Sequence, residues 1–191
     1  MIDWRATART AVLMTRIIEP SSTPVLDIVL DFAGPTKPTA DDTPDELEFA
    51  ISVAASLAGF ATEHRLAVGV RGNGYSAHVL LEVAPSARDG QFRLIMEGGL
   101  ARASTLPSMP LAKLLALPAP QVPRGATTII VTSALKDDLI STARDLQRRG
   151  RSLMLIYIAD DDHHIPVEGL PIVKVTYAPE WPQREALVLV A

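Results

Sequence analysis

The stretch Val25–Pro35, VLDIVLDFAGP, decides the fold. Aliphatic residues follow one another there without clean alternation, which is the pattern of a strand buried on both faces at the centre of a parallel sheet. The run closes on Asp31, Phe32, Ala33 and Gly34. In an open α/β sheet the loop leaving the carboxyl end of a central strand faces the crevice where ligands bind. Asp31 is therefore the first candidate site residue. The plainer reading is a loop carboxylate accepting local backbone N–H groups.

Working outward, a proline-punctuated loop leads to a helix start: Thr43 as N-cap, Pro44 in the first turn, and Glu46 completing a capping box. Leu47, Ile51, Ala54, Leu57 or Ala58, and Ala61 then recur at helical spacing, predicting a long amphipathic helix to about Thr62. Asp41, Asp42, Asp45 and Glu46 crowd its start and would repel a phosphate. Leu66–Arg71 predicts a second buried strand. Gly72, Asn73 and Gly74 read as a tight turn into Ala77–Val83, an antiparallel edge strand. Arg88–Ala103 has helical spacing. Five prolines between Thr105 and Pro123 predict an excursion over the surface with one short helix, Leu111–Leu117.

Thr127–Thr132 predicts a strand, and a helix over Lys136–Arg149 follows, with Leu139, Ala143 and Leu146 inward and Gly150 as its stop. Ser152–Ile158 and Ile172–Tyr177 complete six strands. Upstream, Met1–Ala11 could form a short helix and Val12–Ile18 a strand. The expected fold is α/β, a doubly wound, mostly parallel sheet with one antiparallel edge strand. It fits one domain over residues 1–191, with residues 1–24 as an amino-terminal extension.

Composition narrows function. A net charge of −4 gives no general attraction to phosphate backbones, so nucleic acid is not an expected partner. Without cysteine, thiol catalysis, disulfides and thiolate metal sites are excluded. No apolar run is long enough to span a membrane, and no export signal is visible. A cytoplasmic location is expected. Asp160, Asp161, Asp162, His163 and His164 are adjacent loop residues that lack the spacing of a metal site, and they read as a solvated acidic loop. Gly72–Gly74 lacks the strand-to-helix context of a dinucleotide fingerprint, and neither a P-loop nor a nucleophile elbow occurs.

Ile2, Asp3, Trp4, Arg5, Ala6, Thr7, Ala8 and Arg9, then Glu19 and the strand ending in Asp31, resemble the bacterial family known as domain of unknown function fifty-eight. The helix from Leu47, the segment Arg65–Gly74, Pro123–Ser133, Arg148–Ser152 and Gly169–Val175 fit it as well. The resemblance covers nearly the whole chain and the carboxyl-terminal part of a usual member, which carries a membrane anchor upstream. It implies a von Willebrand factor A-like fold and association with a MoxR-type AAA ATPase. It also implies a metal-ion-dependent adhesion site, Asp-x-Ser-x-Ser, with a Thr and a later Asp. Asp31 matches the first position; Ala33 and Pro35 replace the serines, and Ser133 or Ala134 replaces the later Asp. One carboxylate cannot supply the six or so oxygens that hard cations take, so a degenerate site with no cofactor is expected.

The leading expectation is a non-enzymatic interaction domain. Its rim is formed by the loops after Asp31 (with Ala33) and Thr132 (with Ser133) and by the proline-rich segment, and it docks a protein partner. Asp3, Trp4 and Arg5 are a second candidate contact patch, weighed against Trp4 in the core with Asp3 and Arg5 as a structural ion pair. Two alternatives stay open: a divalent-cation-dependent binding domain using Asp31, Asp41 or Asp42, and Ser133, and a hydrolase without a recognised constellation.

Overall fold

The computed structural model describes residues 25–33, 44–76, 79–83, 98–102, 106–119, 122–123, 125–159, 167 and 169–177. Among the described residues six strands form one sheet: β1 (Val25–Leu30), β2 (Ala67–Ser76), β3 (Val79–Val83), β4 (Thr127–Thr132), β5 (Ser152–Ala159) and β6 (Ile172–Thr176). Their spatial order is β3-β2-β1-β4-β5-β6. Every neighbouring pair is parallel except β2 and β3, which run antiparallel. The chain leaves β1 for β2 on one side and later returns to β4 on the other. The crossovers therefore diverge between β1 and β4, where α/β sheets open a crevice at the carboxyl ends of their strands.

Alternation along β1 divides two cores. Ile28, Leu30 and Phe32 face one side, with Val68, Val70, Ile129, Val131, Ile156 and Ile158 from neighbouring strands. Helix α1 (Pro44–Glu63) covers this side. Its buried residues are Phe49, Ala50, Val53, Ala54, Ala58 and Ala61, whereas Leu47, Ile51 and Leu57 are half-buried. The predicted stripe is thus rotated, because alanines at four-residue spacing let the helix backbone lie close on the sheet. The helix ends as Leu66 N–H reaches Ala61 O and Arg65 N–H reaches Thr62 O, with Arg65 at φ 57°. This is a Schellman ending with arginine where glycine is usual.

The second face carries Val29, Ile130, Leu153 and Leu155 under α2 (Leu111–Ala116) and α3 (Asp137–Arg148). The proline-rich segment is therefore not only a surface excursion. Leu111, Leu114 and Leu115 of α2 are buried, since Val29 and Ile130 need an apolar cover that α3 alone does not provide. At the end of α3, Gly150, at φ 82°, makes the expected stop.

A second correction concerns Gly72, Asn73 and Gly74. They do not turn the chain; they lie inside β2, where the pairing with β3 shifts register between Arg71 and Tyr75. A glycine serves at 72 because a Cβ there would sit 2.7 Å from Phe32 Cε2 and 2.9 Å from the Leu30 carbonyl oxygen. The irregular register re-aims Asn73, which is fully buried, toward the end of β1. The expected elements at Met1–Ala11 and Val12–Ile18, the Thr43 cap and most of Arg88–Ala103 lie outside the described residues.

Candidate functional site

On the α2–α3 face two polar rungs cross the three central strands. The lower one centres on Asp27, 1% exposed, which accepts Arg71 Nε and Nη2, both at 2.9 Å, and the Thr128 hydroxyl at 3.2 Å. A buried carboxylate requires such pairing, and the two-pronged guanidinium supplies a full countercharge.

The upper rung centres on Asp31, 4% exposed. Its Oδ1 accepts Ala33 N–H at 3.0 Å and Asn73 Nδ2 at 2.8 Å, and its Oδ2 accepts the Thr132 hydroxyl at 2.9 Å. All three donors are neutral. Among the described residues the charge has hydrogen bonds and no direct cation. Burial raises the Asp31 pKa above the ordinary 3.8, against the opposing pull of the hydrogen bonds from Ala33, Asn73 and Thr132 and of the Lys136 charge. Three of about four acceptor positions are in use, leaving one on Oδ2.

Asn73 holds the site together. Its Oδ1 accepts Phe32 N–H at 2.7 Å, and its Nδ2 also donates to Met109 O at 3.0 Å. Its own carbonyl accepts both the backbone N–H and the hydroxyl of Ser108, each at 2.6 Å. One side chain and one peptide group therefore pin the end of β1, β2 and the segment before α2. Thr132 does the same for β4: its Oγ1 accepts Ala134 N–H at 3.0 Å and lies 3.2 Å from Ala134 O.

Above this rung lies a cavity of about 420 Å³, within the usual range for ligand pockets. Its walls come from the ends of β1 (Asp31, Ala33) and β4 (Ala134), the segment Pro107–Ala112, and the start of α3 (Lys136, Asp138, Leu139). Asp31 and Ala33 are thus brought together, whereas Ser133 is half-buried and absent from the lining. Asp3, Trp4, Arg5, Asp41 and Asp42 lie outside the described residues. No group of three or more His, Cys, Asp or Glu residues with metal-holding geometry occurs among the described residues.

Sequence reasoning missed Asn73, Thr132 and the Asp27–Arg71 pair. The signal was available: Asp27 and Asp31 lie four apart on one face of an apolar strand, and Thr128 and Thr132 repeat that spacing in another. Buried polar groups at matched spacing must find partners, and neighbouring central strands are where those partners lie.

No family model matches the chain, and no curated protein matches it. Among solved structures, the crystal structure of the pilus adhesin SpaC from Lactobacillus rhamnosus GG is similar over 77% of this chain, with a TM-score of 0.48 and 11% sequence identity. The chain spans 26% of that adhesin's length. No helix among the described residues is long and apolar enough to cross a membrane.

Proposed function

We propose that this chain is a non-catalytic protein-docking domain of von Willebrand factor A-like type, and that the crevice between β1 and β4 is its working surface. The observation that carries this reading is the buried Asp31 carboxylate, held by neutral donors at the base of a cavity walled by three separate segments. A charge placed there at a cost to stability is the mark of a binding site rather than of a packing solution. The lower rung, where Asp27 is fully neutralised by Arg71, is what a purely structural carboxylate looks like in the same sheet.

A further feature supports a binding surface. Asp31 is fixed by three hydrogen bonds, which suits a preformed recognition surface. From the resemblance, the partner is a MoxR-type AAA ATPase in the cytoplasm, and the adhesion-type metal site is degenerate.

The test is capture of the MoxR-type ATPase from the same host by the full chain. Ala33→Arg and Asp138→Lys on the rim are expected to abolish capture, while Phe60→Asp at the opposite end leaves it intact. Capture that survives both rim variants overturns this reading.

A further inference from the structure

Resting on the reading of this crevice as the working surface, we infer that the cavity receives a primary ammonium group on an aliphatic stem, the side chain of a lysine presented by the partner protein. Charge comes first. Among the described residues Asp31 and Asp138 line the cavity with a single cation, Lys136, so that lining is net negative. Lys136 is exposed, and it acts on Asp31 through space. Among the described residues the charge of Asp31 has no direct cationic partner, in contrast to Asp27 one rung below.

The acceptor inventory then selects the cation. A guanidinium fork needs both oxygens of a carboxylate, as Arg71 uses both oxygens of Asp27. Asp31 Oδ1 already accepts two hydrogen bonds and Oδ2 one, so a single position on Oδ2 stays open. That suits one N–H of an ammonium and does not suit a fork. The remaining lining is apolar: Met109, Leu111 and Leu139 flank the same cavity and offer contacts for a four-carbon stem. Partner lysine inserted there would sit between two carboxylates, with its methylenes against those three side chains.

The experiment uses the full chain and three small probes, followed by amide NMR titration: N-acetyl-lysine methylamide, its uncharged analogue N-acetyl-norleucine methylamide, and N-acetyl-glutamate methylamide. The lysine probe is expected to shift the Ala33, Ala134 and Leu139 amides and to bind at least about tenfold more tightly than the norleucine probe. Asp31→Asn, which keeps the hydrogen-bonding shape, should remove that preference. Lys136→Met should strengthen lysine binding by deleting the competing cation. Equal binding of lysine and norleucine probes, retention of the preference in Asp31→Asn, or preferential binding of the glutamate probe through Lys136 would each overturn the inference. Failure of the probes while rim variants still abolish ATPase capture would refute the lysine pocket and leave the docking surface standing. The converse result, probes binding while both rim variants still capture the ATPase, would refute the crevice as its docking surface and leave the ammonium pocket standing.

Discussion

Replacing Asp31 separates the cost of its charge from the value of its hydrogen bonds. In Asp31→Asn the amide oxygen can accept from Ala33 and Asn73 as the carboxylate does, and the new NH₂ can donate to Thr132 Oγ1. The Thr132 hydroxyl then turns to Ala134 O, 3.2 Å away, so the groups that bond Asp31 all keep partners and the second N–H of the new amide faces the cavity. Asp31→Ala instead strips the acceptor from a fully buried Asn73 amide, an unsatisfied donor that costs about 1–3 kcal/mol. For a chain of this size that lowers Tm by roughly 2–12 °C.

The pH dependence follows from the raised pKa of Asp31. Because the folded state holds this proton more tightly than the unfolded state, the contribution to stability is fully present below the ordinary value of 3.8. It is lost as pH rises through the folded-state pKa. Asp31→Asn should therefore match the wild type in acid and exceed it at neutral pH, while Asp31→Ala lies below Asp31→Asn throughout. Urea melts at several pH values read both effects. If Asp31→Asn is as damaging at neutral pH as Asp31→Ala, the negative charge itself holds the site together and the reasoning fails.

Four further perturbations test the frame. Arg71→Met leaves Asp27 buried without its countercharge and should cost about 3–5 kcal/mol by denaturant unfolding, with Asp27→Val/Arg71→Met recovering most of the loss. Gly72→Ala drives a Cβ against Phe32 and the Leu30 carbonyl and should cost about 1–3 kcal/mol in the same assay. Arg65→Gly relieves a left-handed residue at the end of α1 and should raise stability by about 1 kcal/mol, seen as a higher Tm. Millimolar Mg²⁺ or Mn²⁺ should leave Tm unchanged; a rise that Asp31→Asn abolishes would establish a cation site and contradict the degenerate-site reading.

The frame was legible where burial dominates. β1, β4 and β5 are apolar runs that can only be central strands, and α3 carries both its stripe and its stop at Gly150. The β2 segment was misread because glycine and asparagine favour turns by local preference, whereas here tertiary packing prevails: Phe32 presses on Gly72, and Asn73 satisfies groups from two other segments. The site was half legible for the same reason. Asp31 stands where topology places a ligand carboxylate, but its donors lie 42 and 101 residues away, a separation that no local pattern reveals. The cover provided by α2 was hidden by the prolines around it, which mark a loop without telling which leucines between them turn inward.

The central claim is that Asp31 carries a buried charge that the surrounding protein only partly compensates. Titration of its side-chain carboxyl carbon by NMR measures that directly. A midpoint above 3.8, falling toward or below it when the lysine probe is added, is the result expected; a midpoint at or below 3.8 in the free protein would contradict it.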